Sequence, residues 1–193
     1  MTEPLFIQQL REGNREAFNK LVEEHKDGVL NICNGFVKNA EEAEDITQEV
    51  FVEVYRTISK FREDSSLFTW IYRIAVSRSL DAIKKKKSIK RAAFFEKRVQ
   101  AEVAEYEIDN TASDTLSPDS ELEQIQQRQF IDHSLAKLTE SQRTAFVLSH
   151  QDGLSYKEIA EIMGKSLTSI ESLIHRSKQT LRKIMEENYH EYF

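Results

Sequence analysis

Residues 153–183 read GLSYKEIAEIMGKSLTSIESLIHRSKQTLRK, the pattern of two short helices joined by a tight turn. Ser155 and Glu158 have the spacing of a capping box, so the first helix is expected to begin there. Gly164 is expected to end it, because glycine tolerates the positive φ at which a chain leaves a helix and reverses. The stretch therefore has the outline of a helix-turn-helix.

The apolar residues of this stretch recur at helical spacing and predict one buried side for each helix. They are Tyr156, Ile159, Ala160 and Met163 in the first helix, and Leu167, Ile170, Leu173 and Ile174 in the second. The second helix is expected to begin near Ser166 or Thr168. Its outer face carries small, polar and basic groups suited to phosphates and base edges, namely Ser166, Thr168, Ser169, Ser172, His175, Arg176 and Lys178. Any helical hairpin needs an apolar stripe and a glycine turn, so the alternative is a plain structural hairpin.

The composition predicts a mostly helical chain with one or two modest cores. The 193 residues include only five glycines and two prolines, and this length suits two small domains. The net charge is −6, yet eight of the 33 acidic side chains and none of the 27 basic ones fall within 99–123. That stretch has few large apolar residues to offset the entropy of ordering, so we predict a flexible linker. A short amphipathic helix from about Arg98 to Ile108 is the alternative.

Several function classes are disfavoured by the sequence. The five histidines are scattered, and no cysteine and histidine spacing suits zinc. Neither a phosphate-binding glycine loop nor a nucleophile elbow is present, so we expect no enzyme, small-molecule substrate, metal or cofactor. Cys33 is the single cysteine and is expected to be a small core side chain. With no signal peptide and no apolar stretch near the ~20 residues that span a bilayer, the protein is expected to be cytoplasmic, without direct membrane insertion.

In the N-terminal half, one amphipathic helix begins near Phe18 and continues, or restarts, after Gly28. Asn39 and Glu42 predict the cap of the next helix. Its buried stripe is Ala43, Ile46, Thr47, Val50, Phe51, Val54 and Ile58, which leaves Asp45, Gln48, Glu49, Val52, Glu53 and Arg56 on other faces. This acidic row with an apolar member has two interpretations, a solvated helix face or a polar docking surface.

A polar turn at 61–66, FREDSS, precedes a helix that begins with the aromatic residues Phe68, Trp70 and Tyr72 and continues with basic ones. Leu67, Ile71, Ile74 and Ala75 form its buried stripe, and a lysine run occupies 84–87. Aromatic rings beside cations suit nucleic acid, because bases stack on rings while lysines neutralise phosphates. The alternatives are that the aromatics, Trp70 included, belong to the core and that the lysines form a solvated helix end.

The whole pattern resembles a known family. AFNKLVEEH at 17–25, DITQEVFVEVY at 45–55, FREDSS with FTWIYRIAVSRSLDAIKKKK at 61–87, the acidic linker, and the segment from 138 to 183 follow one another in the order found in extracytoplasmic-function (ECF) sigma factors of bacterial RNA polymerase. The resemblance covers nearly the whole chain. It implies an all-α fold with sigma region 2 at 1–98, an acidic linker at 99–123 and sigma region 4 at 124–193.

The resemblance also implies roles for residues of the N-terminal half. The D-x-x-Q-E helix would dock on a coiled coil of the polymerase β′ subunit, which assigns Asp45, Gln48, Glu49, Val52 and Glu53 to core binding. The following loop and helix would recognise and melt the promoter −10 element, with one base flipped against the loop. This assigns Phe61, Ser65, Ser66, Arg73, Ser77, Arg78, Asp81, Lys84 and Lys85 to −10 DNA, with the run 84–87 along the backbone.

The C-terminal helix-turn-helix would read the −35 element as duplex, which assigns it the outer-face residues named above. The 138–148 helix, capped by Thr139 and Gln142, would support it and contact the β flap, and the linker would pass through the polymerase cleft. An anti-sigma factor is the further partner implied. Ser77 stands where the family often has asparagine, and residues 170–173, IESL, stand where it has V-K-S-R, so promoter sequence cannot be carried over. The competing hypothesis is a helix-turn-helix regulator that binds duplex DNA without polymerase.

Overall fold

The computed structural model describes residues 3–101, 130–131, 133–150 and 154–192, and the regular structure in these ranges is helical throughout. The all-α prediction is therefore confirmed. In chain order the helices are α1 (Glu3–Arg11), α2 (Arg15–Val37), α3 (Ala40–Thr57), α4 (Leu67–Ala101), α5 (Glu140–Ser149), α6 (Tyr156–Met163) and α7 (Leu167–Tyr192), with a 3₁₀ turn at Ile58–Lys60. Residues 99–101 belong to α4. The rest of the predicted linker, and of the helix proposed as its alternative, lies outside the described residues.

The first domain packs α1 to α4 around one apolar core. Asn39 caps α3 as predicted, since its side chain accepts a hydrogen bond from the Glu42 amide at 2.8 Å. Helix α2 continues through Gly28 instead of restarting there. The reason is packing, because a side chain at position 28 would collide with the Tyr72 hydroxyl of α4. Cys33 is buried in this core, as expected for a small apolar side chain.

The second domain packs α5, α6 and α7. The predicted capping box of Ser155 and Glu158 forms at the start of α6, and Thr139 and Gln142 cap α5 as predicted, in a second capping box. Gly164 ends α6 at φ 60°. At the start of α7 the cap is Ser166, and not Thr168, because the Ser166 hydroxyl accepts from the Ser169 amide at 3.2 Å.

The predicted apolar sides of α6 and α7 need one correction. Tyr156 and Leu167 are 39% and 47% exposed, while Ile162, which the spacing did not select, is buried. Tyr156 and Leu167 are each the first residue of a helix and lie at the edge of the apolar stripe. Ile159, Ile170 and Ile174 fill its centre as predicted.

The two domains are packed against each other. Helix α5 contacts α2, and α6 contacts α4. Arg143 of α5, only 8% exposed, donates from Nη2 to the Phe36 carbonyl oxygen of α2 at 2.5 Å. Apolar side chains from both domains form one connected cluster. The interface therefore combines apolar burial with a directed bond from a buried guanidinium.

Candidate polymerase and promoter interfaces

One face of α3 carries the residues assigned to core binding. Asp45, Gln48 and Glu49 are exposed, Val52 is 48% exposed and Glu53 is half-buried. The interleaved residues Ala43, Ile46, Thr47, Val50, Phe51 and Val54 are buried. We call the surface formed by Asp45, Gln48, Glu49, Val52, Glu53 and Arg56 the acidic face. It is held rigid by the core on the other side of the same helix.

Arg78 lies at the edge of the acidic face, although the sequence assigned it to −10 DNA. Its Nη2 atom lies 3.0 Å from Glu53 Oε2, and both side chains line the same shallow groove as Asp45 and Gln48. A second ion pair joins α4 to α3, from Lys86 Nζ to Glu42 Oε2 at 3.0 Å. In this conformation Arg78 therefore neutralises part of the acidic face.

The loop 61–66 joins the 3₁₀ turn to α4. Phe61 is only 5% exposed and its ring packs on Trp70 at a centroid distance of 5.1 Å, so its ring is part of the core and does not face solvent. Ser66 caps α4, because its hydroxyl accepts from the Thr69 amide at 3.1 Å. Ser65 is half-buried between these fixed ends.

A crevice between the two domains contains several of the remaining residues assigned to −10 DNA. Its α4 wall is Arg73, Val76, Ser77, Leu80, Asp81 and Lys84, and its opposite wall comes from α5, α6 and the turn after α6. Lys85 is exposed on α4 outside this lining. Four residues assigned to −10 DNA from the sequence thus lie on one wall of the crevice, namely Arg73, Ser77, Asp81 and Lys84.

Two of these side chains are bound by the second domain. Arg73 donates from Nη2 to the Glu161 carbonyl oxygen at 2.7 Å and from Nε to that of Ile162 at 3.3 Å. These carbonyls end α6, where a cation also interacts favourably with the helix dipole. Lys84 Nζ lies 3.0 Å from Glu140 Oε2 of α5. Two of the four side chains on this wall that were assigned to −10 DNA are therefore bound by the second domain, although the Lys84 ion pair is largely exposed.

The residues assigned to −35 DNA lie on the free side of α7. Ser166, Thr168, Ser169, Ser172 and Arg176 line one shallow groove with Leu173. His175 and Lys178 are exposed elsewhere on the helix. Behind them, the buried Ser177 hydroxyl lies 2.7 Å from the Leu173 carbonyl oxygen of its own helix and 3.0 Å from the Gln142 carbonyl oxygen of α5. The residues assigned to −35 DNA are thus presented by a helix that packs against α5.

The shifted pKa values identify structural groups. Hydrogen bonds from the Ser155 hydroxyl and amide lower the pKa of Glu158, burial lowers the pKa of His25, and burial raises the pKa of the Cys33 thiol. Among the described residues there is no cluster of metal-ligating side chains. No helix within those ranges has the length and apolar character needed to cross a membrane.

Two long-range contacts were missed by the sequence reasoning. Arg11 of α1 bonds the loop 61–66, and Arg143 of α5 bonds α2. Both guanidinium groups donate to backbone carbonyls far along the chain. Such acceptors exist at every residue, so the spacing of side chains gave no signal for either contact.

Two family models match the chain. Sigma-70 region 2 matches residues 21–89, which lie in α2 to α4. Sigma-70 region 4 matches residues 129–181, which include α5, α6 and most of α7. The matches therefore fall in turn on the two helical domains described above.

Relatives extend the similarity over nearly the whole length. The ECF RNA polymerase sigma factor SigW of Bacillus subtilis is 32% identical over 185 residues, covering 94% of this chain and 95% of SigW. A structure of CnrH in complex with the cytosolic domain of CnrY has a TM-score of 0.64 at 20% identity, covering 96% and 98% of the two chains. The sigma factor RpoE of Bartonella quintana, solved with the anti-sigma factor NepR, has a TM-score of 0.50 at 19% identity, covering 88% and 96%.

The chain therefore belongs to the ECF sigma factors of RNA polymerase. It binds core polymerase and directs promoter-specific transcription initiation by reading −10 and −35 elements. The near-complete match to SigW does not favour a helix-turn-helix regulator that works without polymerase. The family is not a class of enzymes.

Proposed function

We propose that three surfaces of this sigma factor divide its work between polymerase and promoter. The acidic face docks on the coiled coil of the polymerase β′ subunit. The loop 61–66 and the crevice wall of α4 bind the −10 strand, and the outer face of α7 binds −35 duplex. The observation that carries the proposal is the acidic face, where Asp45, Gln48 and Glu49 are exposed while residues between them are buried.

The proposed division follows the charges of the surfaces. Carboxylates repel DNA, so the acidic face suits a basic protein partner. Arg176, Lys178 and the hydroxyl groups of α7 suit phosphates and base edges. Arg73 and Lys84 can make the same kind of contact only after they leave α6 and α5. Binding of the −10 strand by this wall therefore requires the crevice to open, and docking on polymerase is the proposed event that opens it.

The same proposal includes the boundaries of the sigma regions and the remaining binding partners. Residues 1–98 act as region 2, 99–123 as the linker and 124–193 as region 4, with α5 contacting the β flap. The protein has no catalytic activity of its own and acts in the cytoplasm. An anti-sigma factor binds it to hold it inactive, a partner of the kind solved with the similarly folded Bartonella protein.

The experiment is reconstitution of holoenzyme from core polymerase and the full-length protein. Asp45→Arg should weaken core binding at least about tenfold, because a like charge is forced against a basic partner. Gln48→Ala should weaken it less. Glu23→Arg is the matched control, since Glu23 is an exposed carboxylate of α2 away from the acidic face. Thermal unfolding should be the same for all variants.

Unchanged core affinity in both acidic-face variants would contradict the docking assignment. A reconstituted protein that starts no transcription on a library of genomic promoter fragments would contradict the division of work as a whole. A gel shift on promoter duplex without core measures the contribution of the second domain alone.

A further inference from the structure

A cluster on the surface of the first domain connects α1 to the loop 61–66. Arg11 is the last residue of α1. Its Nη2 atom donates to the Phe61 carbonyl oxygen at 2.6 Å and lies 2.8 Å from Glu63 Oε1. One terminal nitrogen therefore binds two points of the loop, fifty or more residues along the chain.

Helix α1 is a firm support for this side chain. Ile7 and Leu10 are buried, and Phe6 packs against the same core. Because α1 is fixed on its apolar side, Arg11 projects from a defined position. The family model begins only at residue 21, so α1 lies outside the matched part of region 2.

The loop needs such a contact in its middle. Its ends are fixed by the buried Phe61 ring and by the Ser66 cap of α4. Between them Glu63 has φ 61°, the left-handed region that disfavours residues with a side chain. In that conformation the Glu63 carboxylate forms the ion pair with Arg11, which joins the middle of the loop to α1.

We propose that Arg11 is a positioning residue for −10 recognition. It holds the loop 61–66 in the shape that accepts the flipped base, which makes α1 part of the promoter reader. The inference rests on the role of the loop given under the proposed function. Arg11 acts through the loop, since its guanidinium is already shared between Phe61 and Glu63.

The test uses holoenzyme assembled from core polymerase and full-length protein. The probe is a forked promoter, chosen by transcription with the wild type, whose −10 non-template strand is single-stranded. Each −10 position is replaced in turn by an abasic site. The penalty at the flipped position measures how well the loop reads a base, and a change in overall folding would not alter that penalty selectively.

Arg11→Ala should weaken binding of the intact fork about tenfold, the equivalent of about 1.4 kcal/mol. The abasic penalty should shrink toward twofold, because a loosened loop reads the base poorly. Arg11→Lys should recover part of both effects, since an ammonium group can still bind one of the two acceptors. Arg15→Ala is the control, as it removes an exposed cation at the start of α2.

A double-mutant cycle with Glu63→Ala assigns the effect to the contact. In the Arg11→Ala background the second substitution should cost little more. The proposal is overturned if Arg11→Ala keeps the full abasic penalty, or if it weakens core, −35 and −10 binding equally. If the wild type itself shows no abasic penalty at any position, the proposed role of the loop fails first. The two failures are thereby distinguishable.

Discussion

The two surfaces that we propose to read DNA, the outer face of α7 and the crevice wall of α4, differ in what they face. The groove of α7 with Thr168, Ser172 and Arg176 faces outward. The −10 wall of α4 faces the second domain, where Arg73 and Lys84 are bound by α6 and α5. The second domain thus presents the groove of α7 and at the same time covers the wall of α4 that is proposed to bind −10 DNA. This contrast implies that promoter binding by the isolated protein is unequal at the two elements.

The largest expected effect is the dependence of −10 binding on core polymerase. Isolated protein should bind a −10 single strand about a hundredfold more weakly than holoenzyme does, as a closed state favoured by about 2.7 kcal/mol would require. Affinity for −35 duplex should change far less. Fluorescence anisotropy with labelled strands measures both, and core alone supplies the background. Equal −10 affinities with and without core would mean that the packed domains do not restrict the reader.

The second test weakens the packing of the two domains by a substitution in α5, a helix to which no DNA contact is assigned. Arg143→Met keeps an apolar stem against α2 and removes the bond to the Phe36 carbonyl oxygen. Binding of the −10 strand by isolated protein should rise roughly tenfold, as loss of a buried charged hydrogen bond favours the open form. Lys137→Met is the control, because Lys137 is exposed in the turn before α5. A fall in −35 affinity would instead show damage to the second domain.

Much of each reader was predictable from the sequence because the signals are local. Asn39, Thr139 and Ser155 cap helices within three residues of their partners, and Gly164 supplies the positive φ that ends α6. The helical spacing of the apolar residues in α3 distinguished its buried stripe from the acidic face. These features depend on neighbours along the chain, so propensity and spacing are sufficient to find them.

The contacts that could not be predicted from the sequence join residues that are far apart along the chain. The sequence left open whether α2 continues through Gly28; it does, and the space beside this glycine is filled by the Tyr72 hydroxyl of α4. Phe61 was assigned to −10 DNA, yet its ring packs on Trp70. Arg73 binds carbonyls 88 and 89 residues away. Every residue has a backbone carbonyl, and the space around a side chain depends on distant parts of the chain, so neither can be predicted from residue types. For this reason only the structure shows that the second domain covers the wall of α4 proposed to bind −10 DNA.

A smaller effect is expected on the outward reader. Arg176→Ala should lower −35 duplex affinity about fivefold and reduce the slope of log affinity against log salt by about one, as for loss of one phosphate contact. Arg182→Ala removes an exposed cation further along the same helix and serves as the matched control. Titrations at several salt concentrations measure this affinity and its slope. Identical slopes for wild type and Arg176→Ala would place this guanidinium away from the DNA.

The smallest effect concerns α6, which both readers share, since it binds Arg73 and packs on α7. Its capping box lowers the pKa of Glu158 through hydrogen bonds from Ser155. A carboxyl with a lowered pKa stabilises the fold above its ordinary titration range and loses that contribution as the pH falls through the lowered value. Glu158→Gln should therefore cost a few tenths of a kcal/mol near neutral pH (roughly 0.3) and nothing in strong acid.

Thermal unfolding of wild type and Glu158→Gln between about pH 7 and pH 3 should show the two midpoints converging as the carboxyl protonates. In a Ser155→Ala background the difference near neutral pH should be smaller, because the hydroxyl that lowers the pKa of Glu158 is gone. A constant offset across the range would mean that the charge of Glu158 does not stabilise α6. Convergence would instead show that the start of this helix, and with it the support of both readers, is weakened by acid.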